Sequence, residues 1–180
     1  MVSPLLRVSV IGTSCSGKTT FARRLAAQFG YPMIELDALH WLPDWQERPS
    51  EDFERMVAEA VKADYWVLDG NYRQVRPLIW PRATHVIWLN YSFPLIFWRA
   101  VLRTVKRAAT HEELFSGNRE TWVHSFFSRD SMLWWVITTY QIRRRQYQAL
   151  FNSPQYANLE YIQFTNPRQA ELFIHHISND

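Results

Sequence analysis

The residues best placed to do chemistry lie early in the chain, in Gly12-Thr13-Ser14-Cys15-Ser16-Gly17-Lys18-Thr19-Thr20. They follow an apolar, β-branched run, Val8-Ser9-Val10-Ile11, and lead into a helix-like run from Thr20 to Phe29. A strand, a glycine-bounded loop and a Lys-Thr pair opening a helix make the G-x-x-x-x-G-K-[ST] pattern of a phosphate-binding loop. The glycines let the backbone bend so that successive N–H groups from Gly12 to Thr20 converge on phosphate oxygens. The helix adds the positive end of its dipole. Lys18 is expected to reach the β- and γ-phosphates of a nucleoside triphosphate, and the Thr19 hydroxyl to sit on Mg²⁺. The plain alternative is a chance match in an ordinary strand-to-helix turn. Cys15 is either a thiol made reactive by nearby positive potential or a tolerant variable position.

Other polar residues recur where strands should end. Asp69 closes the apolar run Tyr65-Trp66-Val67-Leu68 and is a second candidate Mg²⁺ anchor, or else a turn aspartate before Gly70. Asp37, in Leu36-Asp37-Ala38-Leu39-His40-Trp41, can take a proton from an acceptor hydroxyl or N-cap a helical turn. His40 has no second His or Cys at zinc spacing and reads as a surface or packed histidine. Arg99, Arg103 and Lys106-Arg107 share one helix face, either to clamp phosphates and offset charge on a transferred group or as a solvated basic face. Among Arg119, Arg129 and the run Arg143-Arg144-Arg145, one could close over ATP as a lid arginine.

Elements must position these groups. Strands are expected at 5–11, 33–36, 65–68, 84–89 and 159–164. The first helix should end near Gly30 and Pro32. The 37–49 segment reads as irregular. Ser50-Glu51-Asp52 reads as an N-cap with acidic residues in the first turn of the next helix. A short helix over 74–80, one from about Pro94 to Arg107, a loop from Thr110 to Gly117, a helical region from about Arg119 to Phe151 broken near Ser128, and a last helix opened by Asn166-Pro167 complete the chain. Alternation of strand and helix implies a parallel sheet covered on both faces, with ligands outside the carboxyl ends of its strands. The phosphate loop, Asp37 and Asp69 all fall at those ends.

The totals agree with one domain spanning 1–180. The chain has 180 residues, 47% of them hydrophobic and 16% aromatic, with 9 Trp and a net charge of +3. That mild basicity suits phosphate binding and does not by itself imply nucleic acid. One cysteine leaves no internal disulfide and points to a reducing cytoplasm. No signal peptide is visible, and the longest charge-free stretch, between Arg82 and Arg99, is too interrupted for a membrane span.

Three pieces of the chain, Leu36-Asp37-Ala38-Leu39-His40-Trp41 with Pro43-Asp44-Trp45, Trp66-Val67-Leu68-Asp69-Gly70-Asn71-Tyr72, and Val86-Ile87-Trp88-Leu89, resemble a family. It comprises the small bacterial P-loop proteins often labelled DNA topology modulation protein or adenylate-kinase-like ATPase. That family is similar to nucleoside monophosphate kinases and shikimate-type kinases. The resemblance implies a three-layer α/β/α P-loop fold, with a five-stranded parallel sheet in the order 2-3-1-4-5 and a lid at about 108–130. It sets Asp69-Gly70 against the Asp-Gly of the adenylate kinase D-G-F-P-R motif, with Asn71-Tyr72-Arg73 in place of Phe-Pro-Arg, and makes Arg73 an acceptor-binding candidate. It implies that Arg99 faces adenine and Arg103 the phosphates, and that Asp37 stands where shikimate kinases place a substrate-binding aspartate. No motif supports the DNA-topology label.

The expectation is an ATP- and Mg²⁺-dependent phosphotransferase acting on a small-molecule acceptor. Lys18, Asp37 and Arg103 would be catalytic, Gly12 to Thr20 and Arg99 would hold nucleotide, Asp37 and Arg73 would hold acceptor, and Thr19 and Asp69 would hold metal. The alternative is a regulatory nucleotide-binding protein or ATPase acting on DNA or a protein partner. Arg143-Arg144-Arg145 with Trp134, Trp135 and Tyr147 is its support, although those rings are expected to face the core.

Overall fold

The computed structural model describes residues 5–110 and 132–177. Strand β1 (Arg7–Gly12) carries Val8, Val10 and Ile11, each at most 1% exposed, so it is hidden on both faces as a central parallel strand must be. Helix α1 (Lys18–Phe29) stops at Gly30, which takes φ 67°, while the Tyr31 N–H turns back to the Ala26 carbonyl at 3.0 Å. Then come β2 (Met33–Glu35), α2 (Leu36–His40), α3 (Ser50–Ala60), β3 (Trp66–Asp69), α4 (Arg76–Ile79) and β4 (His85–Leu89). The remainder is α5 (Phe93–Thr110), α6 (Met132–Phe151), β5 (Glu160–Phe164) and α7 (Pro167–Ile177). All strand pairs are parallel, as the alternation of elements implies, and they stand in the order β2-β3-β1-β4-β5 that the resemblance led one to expect.

Two apolar layers cover the sheet. One packs α1, α5 and α7 on Val8, Val10, Ile87 and Leu89. The other packs α3 and α4 on Ile11, Leu68, Val86 and Trp88. Helix α6 serves both: Val136 and Tyr140 belong to the first layer and Tyr147 to the second.

Several local expectations change. The 37–49 segment is not irregular throughout. Residues 36–40 form the single-turn helix α2, and the chain then doubles back as a small hairpin. In it the Leu42 N–H donates to the Gln46 carbonyl and the Arg48 N–H to the His40 carbonyl, both at 2.8 Å. Its tip, Pro43–Trp45, puts Asp44 and Trp45 at φ 58° and 54°, the left-handed region that side chains avoid. Ser50 is not a cap. It is already helical, and Pro49, whose ring fixes φ, stands outside it while the Phe53 N–H bonds the Pro49 carbonyl at 3.0 Å. Thr110 is the last residue of α5 rather than the start of a loop. The rest of the 110–117 loop, the greater part of the 108–130 lid, Arg119, Arg129 and the break near Ser128 lie outside the described residues. Trp134 and Trp135 do not face the core: they are 49% and 46% exposed, whereas Tyr147 is buried at 1%.

Candidate functional site

The site is built where β1, β2 and β3 end, because a parallel sheet leaves its strand carboxyl ends open to ligand. The chain leaves β1 at Gly12, where a β-carbon would come within 2.7 Å of the Ser16 hydroxyl and 2.9 Å of the Leu89 carbonyl. Only glycine lets the loop lie this close to β4. Cys15 takes φ 64°, and its side chain packs into the α1–α5 layer at 9% exposed. The Ser16 N–H and the Lys18 ammonium both donate to the Thr13 carbonyl at 3.2 Å, so the loop curls on itself with the lysine laid across it. Arg99 donates to the Ser16 carbonyl at 2.9 Å and lies over the Tyr91 ring at 5.4 Å. It therefore stands beside the loop, while Arg103, one turn along α5, is half-buried and makes no hydrogen bond or ion pair with a described residue.

Thr19 and Asp69 meet directly, the hydroxyl donating to Asp69 Oδ2 at 2.5 Å. Asp69 is 6% exposed, and its other oxygen, Oδ1, has no hydrogen-bond partner. Burial pushes its carboxyl up from the usual range; Lys18 and the Thr19 hydroxyl oppose that, and the charges of Asp37 and Glu35 add to it. A buried acidic oxygen without a donor is costly. Beside a hydroxyl and a phosphate-type loop, it fits a hard divalent cation. The next residue, Gly70, has φ 135°, and a β-carbon there would lie 2.7 Å from Leu36 Cβ. Asn71 Nδ2 then reaches the Gly12 carbonyl at 3.1 Å and also contacts the Tyr147 hydroxyl.

On the other side of Asp69 lies a smaller aromatic group. The Tyr72 hydroxyl donates to Asp37 Oδ1 at 2.7 Å. Burial, followed by the Asp37 charge and hydrogen bond, pushes the Tyr72 hydroxyl up, so it stays a donor. His40 is packed, as one of the two readings had it: it is 7% exposed, with ring centroids of Trp41, Phe53 and Tyr72 at 4.8, 5.0 and 4.5 Å. Arg73 is exposed and makes no hydrogen bond or ion pair with a described residue.

Sequence reasoning passed over two features. Asn71 and Tyr72 were legible only as parts of a motif, and their contacts come from distant elements. The run Arg143-Arg144-Arg145 read as a source of a lid arginine or as the support for a regulatory, partner-binding face. Arg143 and Arg144, both half-buried, fall at helical spacing between Tyr140, which donates to the Tyr91 carbonyl at 2.9 Å, and Tyr147. Tyr91 follows β4 and Asn71 follows β3, so α6 passes the carboxyl edge through Tyr140 and Tyr147. The spacing Tyr140, Arg143/Arg144, Tyr147 was the available signal.

No protein-family model matches the chain, and no curated protein matches it. Solved structures do. A shikimate kinase from Acinetobacter baumannii, in complex with shikimate, aligns with TM-score 0.61 at 18% identity over 96% of this chain and 90% of that one. A shikimate kinase from Bacteroides thetaiotaomicron aligns with TM-score 0.57 at 15% identity over 97% of each chain. A gluconokinase from Sinorhizobium meliloti aligns with TM-score 0.52 at 17% identity over 97% and 94%. These likenesses show the three-layer P-loop fold and do not carry the DNA-topology label. Among the described residues, no helix is long and apolar enough to cross a membrane.

Proposed function

We propose that the chain is a Mg·ATP-dependent phosphotransferase that moves the γ-phosphoryl group to a small-molecule acceptor. The observation that carries this reading is the buried, unpartnered Oδ1 of Asp69 beside the Thr19–Asp69 hydrogen bond at the end of the phosphate-type loop. Thr19 and Asp69 would hold Mg²⁺, which would neutralise charge on the β- and γ-phosphates. The loop N–H groups from Gly12 to Thr20 would hold the polyphosphate, and Lys18 would leave the Thr13 carbonyl for the transferred group. Arg99, at the Ser16 carbonyl, would steady the loop and add positive charge, and Arg103 would approach the phosphates from the next turn. Asp37 would accept the acceptor's hydroxyl proton once that hydroxyl replaces Tyr72 as its donor. Arg73 would reach the acceptor from solvent. The fold shared with kinases supports the reading without naming the acceptor.

Lys18→Ala is expected to abolish acceptor-dependent ADP release in a coupled assay and to weaken Mg·ATP binding in calorimetry by about tenfold or more. Full turnover by this variant would sink the proposal.

A further inference from the structure

Of the ten large hydrophobic residues left exposed among the described residues, seven lie on α5 and α6. These helices pack beside each other, with the Phe93 and Tyr140 rings 5.3 Å apart. On α5, Trp98, Leu102 and Val105 are 60%, 51% and 46% exposed and share one face at helical spacing, opposite the buried Ile96, Ala100 and Thr104. On α6, Trp135 and Ile142 fall on one flank of the buried Val136, Tyr140 and Tyr147, and Trp134 and Ile137 on the other. Each half-exposed indole alone gives water about 100 Å² of mostly apolar surface, which is costly to leave there. The charges on the same two helices are all of one sign. Their sequences hold seven Lys and Arg and no Asp or Glu, whereas the whole chain nets only +3, so the rest of it is net negative. Lys106 and Arg145 are exposed, and Arg143 lies over the Trp135 ring at 5.5 Å, so a cation and an exposed indole share one spot. Arg103, Arg144 and Arg145 make no ion pair with a described residue.

We infer that the outer side of α5 and α6 docks on an anionic lipid bilayer, lying on it rather than spanning it. Indoles settle at the headgroup level, aliphatic side chains enter the acyl boundary, and Lys and Arg hold anionic headgroups. All three kinds of group stand together on these two helices, with no acid among them to repel the surface. A second copy of the chain fits this side less well, because two sets of like charges would meet. Nucleic acid also fits it less well. Phosphates would use the cations and bases could stack on the indoles, but Leu102, Val105, Ile137 and Ile142 would gain nothing.

The test is co-sedimentation of the full chain with vesicles of phosphatidylcholine alone and of phosphatidylcholine mixed with phosphatidylglycerol. The chain is expected to bind the anionic vesicles at least about tenfold more tightly than the neutral ones. Raising NaCl from about 0.1 M to about 1 M should remove most of that binding, because the screening length shrinks. Lipids with brominated acyl chains should quench the tryptophan fluorescence. The double variant Trp98→Ser with Leu102→Ser should weaken vesicle binding by about tenfold or more while its urea midpoint stays that of the wild type. Should that variant fail to fold, quenching in the wild-type chain decides, and vesicle binding without quenching would overturn the inference. Absence of binding to anionic vesicles at low salt would overturn it too, whether the chain instead shifts a labelled DNA duplex or sediments as a dimer. So would equal binding to both vesicles, anionic binding that salt leaves intact, or binding that the folded double variant keeps in full.

Discussion

Asp37 shows how much of the chemistry depends on single atoms. Its Oδ1 already accepts a hydrogen bond from Tyr72 at 2.7 Å, so the carboxylate is oriented before any acceptor arrives. Asp37→Asn keeps the shape and removes the proposed base. It is expected to lower kcat by about 10²–10⁴ with Mg·ATP affinity retained, as measured by steady-state kinetics and calorimetry. An equal loss of nucleotide binding would move Asp37 out of the proton-transfer role. Lys18, Thr19 and the glycines were readable because a phosphate loop is a local backbone device whose spacing is written in consecutive residues. Asn71 and Tyr72 were not, since their partners come from afar: Tyr72 meets Asp37 across 35 positions and Asn71 meets Tyr147 across 76. No spacing rule reaches that distance.

Among the elements, the turn after β3 has little room for change. Gly70 takes φ 135° against Leu36 Cβ, which ties the exit of β3 to the start of α2 and so sets Asp69 and Asp37 relative to each other. Gly70→Ala is expected to cost about 1–3 kcal/mol from backbone strain alone, visible as a lower urea midpoint, and to weaken Mg·ATP binding by displacing Asp69. An unchanged midpoint would show that the turn can relax. The helix end at Gly30 and the helix start at Pro167 were legible because propensity and tertiary packing agree there, whereas the strand order was carried by the family resemblance. Helix α2 was not: at five residues it shows too little periodicity to separate from loop. The hairpin that follows puts two non-glycine residues in the left-handed region, which local preference argues against.

For the whole molecule, the hidden histidine of β4 sets a pH response. His85 is 0% exposed, with Nε2 3.2 Å from the Glu160 carboxylate. Burial nonetheless lowers its proton affinity from the ordinary 6.5, the half-exposed Glu160 opposing only in part. The unfolded chain then binds the proton more readily than the folded one. The His85 contribution to stability is full above pH 6.5 and is lost as the pH falls below it. The urea midpoint should drop between about pH 7.5 and about pH 5.5, and His85→Gln should flatten the drop. A wild-type midpoint that rises on acidification would reverse the assignment. The sheet's architecture was evident from strand–helix alternation, but the surface of α6 was not. A single apolar stripe cannot describe a helix that leaves one side of the sheet and joins the other, and this is why Trp134 and Trp135 point to solvent. That crossing has a thermodynamic corollary. With Val136 and Tyr140 embedded on one side and Tyr147 on the other, neither flank owns a private melting point; heating should produce one endotherm whose calorimetric and van't Hoff enthalpies coincide.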